Sequence, residues 1–460
     1  MGTKGQSIQQ QKTDSVFQLV KKAFNAKQID PLYALAADGF KKQLDSATFK
    51  TFCDTRFFPL GDIKDASLTS FVNNKMATYK VVFTYVTLQL FLSIDESGKF
   101  DYFLLQPYDA APADKPARVA TNNPLKTITD KKVDAAARVY IQKANTVGLS
   151  IGVFNNGRIS TYGYGETVRG NGKIPSPNTI FEIGSITKTF TATLLAYYVN
   201  EGKVKLTDPI TKYLPDSVAS NKALQTIQLV NLSNHTSGLP GLPGDFTRYI
   251  SDQTNPYKDY TKQLLLSYLK TCSLDSKPGE KYAYSNLGVA LLGTILERIS
   301  GKTYEQMVTE IITQPLQMNS TVFHFTALLQ QRAASVYGDN GKPTATWDFD
   351  VFAPIGALRS TVNNLMVYTR ANMSKSDTRL AKAFELTHQI TFSKDVKLGL
   401  NWHIITINGI DYYFHNGGTY GSSSFLAFNI ERNIAVVVLS NCGERVDDVG
   451  ANILKQLTTD

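Results

Sequence analysis

The segment from Ala110 to Pro124 constrains the fold more than any other part of the chain. It is rich in Ala, Pro and Asn and has no apolar periodicity, which is the composition of an interdomain linker. It divides the 460 residues into a short unit, 1–109, and a long one, 125–460, and a chain of this length exceeds what a single core normally serves. Each unit must therefore bury its own apolar surface. In the short unit, Asp14 to Ala26 carries Val16, Phe17, Leu19, Val20 and Phe24 at helical spacing, and two shorter helical stretches follow near Pro31 and Ala47. Then the period changes. Ala77 to Ile94 and Lys99 to Gln106 are rich in Val, Phe, Tyr and Thr and read as strands, with Glu96-Ser97-Gly98 turning between them. Helices followed by a strand meander predict a small α+β domain.

The long unit has strands at both ends. After an amphipathic helix over Ile128 to Asn145, strands are expected at Gly148 to Phe154 and Arg158 to Tyr164, around Asn155-Asn156-Gly157. Asn-Gly between two such runs is a strong hairpin signal. Near the other end, Tyr412 to His415, Ser422 to Asn429 and Ile434 to Ser440 read as strands, the last two joined near Glu431-Arg432, before a closing helix from Asp447. The middle is mostly helical and includes Asn286 to Ile299, with Leu287, Ala290, Leu291 and Ile295 on one face. The expected fold class is α+β: an antiparallel sheet built from both ends, flanked by helices, with a helical lobe inserted.

Composition narrows the function classes. The net charge is +9, but the Lys and Arg residues are scattered singly rather than gathered in runs, so a solvated basic surface is expected, suited to anionic envelope polymers, and no nucleic-acid partner. Cys53, Cys272 and Cys442 are odd in number and far apart, which predicts small buried hydrophobes rather than disulfides or a zinc site. The five histidines, His235, His324, His388, His403 and His415, form no H-E-x-x-H and no close pair, so neither a metal nor another cofactor is expected. No apolar run of roughly 18 residues occurs, so no transmembrane segment is expected. The opening MGTKGQSIQQQ lacks a signal peptide's apolar region. Met1-Gly2 reads as an added start on a mature exported chain, which sets the expectation of a periplasmic or secreted protein.

Three short motifs carry the chemistry. In Phe181 to Phe190, Ser185 sits where extended chain gives way to a helix running to Asn200, and Lys188 lies one turn further on the same face. The helix start offers free N–H groups to an oxyanion, and the lysine can take the serine's proton if it is neutral. Ser267-Tyr268-Leu269-Lys270 has the same S-x-x-K spacing, but it lies inside an amphipathic helix and reads as a solvated face. The second motif is Tyr284-Ser285-Asn286. Residues two apart in extended chain point the same way, so phenol and amide can both face a cleft. A cationic Lys188 beside Tyr284 would lower the phenol's pKa and fit it for proton relay. The third motif is His415-Asn416-Gly417-Gly418 at a strand end, where glycine permits close backbone approach and the Gly418 N–H can join that of Ser185 in an oxyanion hole. An α/β-hydrolase is disfavoured because no nucleophile elbow can be placed: the one G-x-S-x-G, Gly148 to Gly152, falls inside an expected strand and not at a strand-to-helix turn.

With S-x-x-K, Y-x-N and H-x-G in that order, the chain resembles the serine β-lactamase and penicillin-binding-protein superfamily, specifically the branch of class C β-lactamases, D-Ala-D-Ala carboxypeptidases and family VIII esterases. The resemblance covers nearly all of 125–460 and extends to Thr207-Asp208-Pro209-Ile210, Asn234 to Pro240, Tyr282 to Ser300, Gln314 to Met318 and Phe414 to Asn441. It implies an acylated Ser185, Lys188 as proton acceptor, Tyr284 as relay to the leaving group and Asn286 on the substrate's acyl-side amide. It also places His415 among the catalytic residues, with Asn416 and Gly417 against the substrate. His415 stands where many β-lactamases have lysine, and Asn416 where a hydroxyl residue is usual. The substrate implied is an ester, a D-amino-acid peptide or a β-lactam, and these two departures predict a weaker grip on a substrate carboxylate. His415, ordinarily half-protonated near pH 6.5, is then expected to recover β-lactam activity at pH 5.5. The same resemblance admits a penicillin-binding receptor that acylates with little turnover. The short unit is similar to the nuclear-transport-factor-like cone, and docking on cell-wall glycan or on a protein is its expected task.

Overall fold

The computed structural model describes residues 8–72, 75–107 and 119–458, and the chain divides into two compact units, Met1–Ala111 and Pro112–Asp460. The start of the chain and 108–118, most of the segment read as a linker, lie outside the described residues. The first unit runs α1 (Ile8–Asn25), α2 (Ile29–Ala34), α3 (Asp38–Gln43), α4 (Ser46–Phe52), β1 (Ile63–Val72), β2 (Met76–Phe83), β3 (Thr87–Ile94) and β4 (Phe100–Pro107), with the strands in an antiparallel meander of that order. Phe17, Val20 and Phe24 of α1 pack on Tyr79, Val81, Leu90 and Leu92 of the sheet. Two features differ from the sequence expectation. Ala77 to Ile94 breaks between Phe83 and Thr87, where the Phe83 N–H turns back to the Val86 carbonyl at 2.8 Å, and β1 was not foreseen.

The second unit opens with α5 (Ile128–Ile141), β5 (Gly148–Asn155), β6 (Arg158–Gly165) and β7 (Phe181–Glu182). Ahead of α5, residues 119–124 run along β6: the Gly165 N–H donates to Ala120 O at 2.9 Å and the Gly163 N–H to Asn122 Oδ1 at 2.7 Å. The helical part comprises α6 (Thr187–Asn200), α7 (Asp216–Ala219), α8 (Leu229–Ser233), α9 (Lys262–Leu269), α10 (Asn286–Ser300), α11 (Tyr304–Val308), α12 (Ala327–Gln330) and α13 (Ala353–Gly356). Then follow β8 (Arg359–Ser360), α14 (Val362–Met373), α15 (Arg379–His388), β9 (Phe392–Ser393), β10 (Lys397–Leu398), β11 (His403–Ile407), β12 (Ile410–Gly418), β13 (Ser423–Asn429), β14 (Ile434–Ser440) and α16 (Asp447–Leu457).

The main sheet has the order β6-β5-β14-β13-β12-β11-β10-β9, so the first hairpin of this unit pairs with its last strands. Every residue of β13 and β14 is buried, because helices cover both faces of the sheet. On one face Val133, Ala137 and Ile141 of α5 and Ile453 and Leu454 of α16 meet Ile151, Val436 and Val438. On the other, Leu365 and Met366 of α14 meet Val437 and Leu439, in a core that continues into the helical lobe. The β5–β6 turn is the expected one, with Asn156 (φ 50°) and Gly157 (φ 77°) both left-handed. The fold is thus the α+β sheet with an inserted helical lobe that the sequence predicts. Helix α6 is buried almost all round, from Thr187 through Ala196, which makes it a central rod rather than a surface helix.

Candidate active site

The N-terminus of α6 is where the three motifs meet. A short 3-10 turn, Gly184–Ile186, leads into the helix and carries Ser185 at its middle. Two glycines let strand β12 lie against this turn. A Cβ at Gly184 (φ +49°) would stand 2.6 Å from the Gly418 nitrogen, and one at Gly417 would stand 2.0 Å from the Ile183 carbonyl oxygen and 2.8 Å from the Ser185 nitrogen. Only glycine fits at either place. The close approach brings the Ser185 and Gly418 peptides together, and the Ser424 hydroxyl ties the strands to the turn by donating to Ile183 O at 2.8 Å.

Lys188 is wholly buried, and its Nζ is 2.8 Å from Ser185 Oγ and 2.9 Å from the Ile355 carbonyl oxygen. Neither partner is an anion. Burial therefore lowers the ammonium's pKa well below the ordinary 10.5, since nothing offsets the lost hydration. The Tyr284 hydroxyl donates to Ser185 Oγ at 2.9 Å from the other side, and Lys188 Nζ lies 5.0 Å from the centre of its ring. Tyr284 lines the cleft with 37% of its surface accessible, and partial loss of hydration around its hydroxyl raises the phenol's pKa. The phenol's shift is thus opposite to the lowering expected beside a cationic Lys188, because burial favours the neutral amine.

The loop bearing Tyr284 is held at both sides by His235, which sits at φ +57°. The Ala283 N–H donates to the His235 carbonyl oxygen at 2.9 Å and the Ser285 N–H to its Nδ1 at 3.2 Å, while the imidazole lies 4.3 Å from the Tyr284 ring. Ser285 caps α10 by accepting the Gly288 N–H and donates to Pro240 O at 2.7 Å. This cap fixes Asn286 at the first helical position, with its Oδ1 buried and without a partner among the described residues.

Strand alternation sorts the third motif. Tyr413 joins the core on the helical side, and His415 is buried two residues on, 1% exposed. Its Nδ1–H donates to Asn416 O at 2.6 Å, its Nε2 is buried without a partner, and its ring centre is 5.5 Å from that of His403. Burial above all pushes its pKa well below 6.5. That direction runs against the expected recharging at pH 5.5, and His415 is not among the residues that line the cleft. Asn416 takes the opposite side, where its amide donates to Asp447 at the start of α16.

A cleft of about 430 Å³ opens in front of Ser185, lined by Tyr284, Trp347, Asn416, Gly417, Gly418, Thr419, Tyr420 and Arg445. Arg445 was not foreseen. Its Nε donates to Asp447 Oδ2 at 2.8 Å and its side chain is 63% accessible, so Asp447 anchors a cation at the cleft wall. The nearest sequence hint was the placement of Arg445 just ahead of the closing helix. Elsewhere, Ser267 near the end of α9 and Lys270 just past it are both exposed, as the solvated-face reading requires. Cys53, Cys272 and Cys442 are buried and form no disulfide among the described residues. Among the described residues no helix is long and apolar enough to cross a membrane.

A serine at a helix start, flanked by a buried lysine and a tyrosine beside an antiparallel sheet, defines a serine hydrolase of the β-lactamase superfamily. The chain belongs to the Beta-lactamase family, whose profile matches residues 133–460. It is 30% identical over 275 residues to a Beta-lactamase of Pseudomonas fluorescens, covering 59% of this chain and 73% of that one. It is 27% identical over 330 residues to Protein flp of Staphylococcus aureus strain MW2, covering 68% and 63%. Two solved structures share the fold: a Beta-Lactamase/D-Alanine Carboxypeptidase from Pseudomonas syringae (TM-score 0.64, 22% identity, 73% of this chain and 100% of that one) and a class C beta-lactamase (TM-score 0.65, 23% identity, 74% and 99%).

Proposed function

We propose that this protein hydrolyses its substrate through an acyl-enzyme on Ser185, and that the substrate carries a carboxylate on its leaving-group side, as a D-amino-acid peptide or a β-lactam does. The observation that carries the first part is the buried Lys188, with no anionic partner, 2.8 Å from Ser185 Oγ. A neutral amine there accepts the serine proton as Oγ attacks the acyl carbon. The Ser185 and Gly418 N–H groups receive the oxyanion, at a helix start where the backbone dipoles already favour negative charge. Tyr284, kept protonated by burial, gives its proton to the leaving group and is resupplied by the Lys188 ammonium. Asn286 holds the acyl-side amide, while Asn416 and Gly417 border the leaving side. His415 acts from behind, as a neutral neighbour of Lys188. Attack by water on the acyl-serine, with the same groups in reverse roles, completes the cycle.

Arg445 carries the second part. With His415 buried and neutral, its guanidinium is the cation that lines the cleft. A charge-assisted hydrogen bond to a carboxylate is worth about 1.5–3 kcal/mol, or roughly tenfold to a hundredfold in kcat/KM. Arg445→Ala should therefore lower kcat/KM for a cephalosporin or a D-Ala-D-Ala peptide by that factor and leave a neutral p-nitrophenyl ester within about threefold. An equal loss on all three substrates would remove the carboxylate reading. The burst with a chromogenic cephalosporin distinguishes enzyme from receptor, because a receptor releases one equivalent and stops. A periplasmic or secreted location, and docking of the first unit on cell-wall glycan or a protein, belong to the same proposal. The net charge of +9 supports contact with anionic envelope polymers.

A further inference from the structure

Glu182, three residues before Ser185, is a buried carboxylate that the reaction itself does not use. It lies in β7 opposite Arg359 of β8 and is 5% exposed. Its two oxygens have different partners. Oε1 accepts the backbone N–H of Trp347 at 2.7 Å, and Oε2 accepts the hydroxyl of Thr419 at 2.7 Å. The Arg359 guanidinium stands 3.8 Å away and donates to the carbonyl oxygens of Phe323 and Trp347. Burial raises the carboxyl's pKa, and Arg359 with the two hydrogen bonds opposes the rise.

The partners are what make the position informative. Trp347 and Thr419 both line the cleft in front of Ser185, and Thr419 directly follows Gly418. One carboxylate thus joins the chain that leads into the nucleophile to the chain that leaves the second oxyanion donor. The two glycines bring these segments into contact and Ser424 ties β13 to Ile183, but neither grips the chain that follows Gly418. A buried acceptor that holds a hydroxyl and an N–H at hydrogen-bond distance on either side can fix it. Oxyanion donors need such support, since a displacement of about 1 Å can cost a hundredfold in rate.

We propose that Glu182 is a positioning residue that sets the spacing of the Ser185 and Gly418 N–H donors by gripping Thr419 on one side and the Trp347 backbone on the other. This rests on the reading of those two N–H groups as the oxyanion hole. A residue that only supported the fold would change stability and all ligand affinities together. One that tunes the oxyanion hole changes kcat and the affinity for a tetrahedral adduct while leaving KM in place.

The experiment compares wild type, Glu182→Gln and Thr419→Val in the full chain, using a chromogenic cephalosporin, a p-nitrophenyl ester, a phenylboronic acid and thermal melting. Glutamine keeps the acceptor for Trp347 but places an amide donor toward Thr419. The expected result is a loss of about tenfold to a hundredfold in kcat and in boronate affinity for Glu182→Gln, with KM within about threefold. Thr419→Val should show the same pattern more weakly, and the double variant should be little worse than Glu182→Gln, because the two residues act through one contact. Wild-type kcat and boronate affinity in a folded Glu182→Gln variant would overturn the inference. So would equal losses in kcat and in substrate binding. If Glu182→Gln does not fold, Thr419→Val decides alone: unchanged kcat and boronate affinity would overturn it. Failure of the underlying reading looks different, because the wild-type protein would then form no boronate adduct and no acyl-enzyme at Ser185.

Discussion

The chain contains the same four-residue pattern twice, and the two copies have opposite surroundings. Ser185 and Lys188 sit at the start of a buried helix, with the amine enclosed and bound only to neutral oxygens. Ser267 and Lys270 sit at the end of α9, both exposed. Spacing places serine and lysine on one helical face in both cases. What separates them is burial: Lys270 is exposed, whereas at Lys188 the missing hydration favours the neutral amine that can accept a proton. The second copy also lacks a helix start at its serine, and so offers no free N–H groups to an oxyanion.

The comparison breaks most sharply at the lysines. Lys188→Met should reduce kcat/KM for any acylating substrate by about 10²- to 10⁴-fold, the range for loss of a positioned base, in steady-state assays at pH 7. The same variant tests the burial argument through stability. Burial lowers the folded pKa of Lys188 well below the 10.5 that it has when unfolded, so between those two values the unfolded chain binds more protons. Wild-type stability must then rise with pH towards 10.5 relative to Lys188→Met, by up to about 1.4 kcal/mol per pH unit. Denaturant midpoints of the two proteins measured from pH 7 to 10 would show this, and parallel curves would place a charged lysine in the site.

A smaller effect sharpens the comparison at the neighbouring imidazole. Since burial holds the His415 pKa well below 6.5, the ring is expected to gain little charge between pH 7 and pH 5.5. The ratio of cephalosporin to ester kcat/KM should therefore change by less than about twofold between these pH values. A several-fold rise at pH 5.5 would mean that His415 titrates in this range and contributes charge to the cleft. The smallest expected effect is at the exposed copy, where Lys270→Met should leave kcat/KM and melting temperature within the scatter of about 0.5 kcal/mol usual for surface changes.

What the sequence revealed follows the range of the interactions. The Asn156-Gly157 hairpin, the apolar runs of β13 and β14 and the helix start at Ser185 are local patterns, and all are present in the structure. β1 was hidden because Lys64, Asp65, Ser67 and Ser70 dilute its apolar residues, and the break after Phe83 because Thr84-Tyr85-Val86 contains no turn-forming residue. The short strands β9 and β10 were missed for a like reason, since two residues carry no periodicity. In the site, residue types were readable but directions were not. Alternation alone does not say which side of β12 is covered, so His415 was expected in the cleft and Arg445 was overlooked. The contact from Glu182 to Thr419 spans 237 residues, and no pattern in one sequence records it.

The central claim is that Ser185, and no other serine, forms the acyl-enzyme, and mass spectrometry of the trapped protein tests it most directly. Wild type, Ser185→Ala and Ser267→Ala are each incubated with a fluorophosphonate and with a penicillin, quenched, weighed intact and digested for peptide mapping. The expected result is one adduct per chain on the peptide containing Ser185 in wild type and in Ser267→Ala, and none in Ser185→Ala. Labelling of Ser185→Ala at the wild-type rate, or an adduct that maps to another residue, would contradict the account.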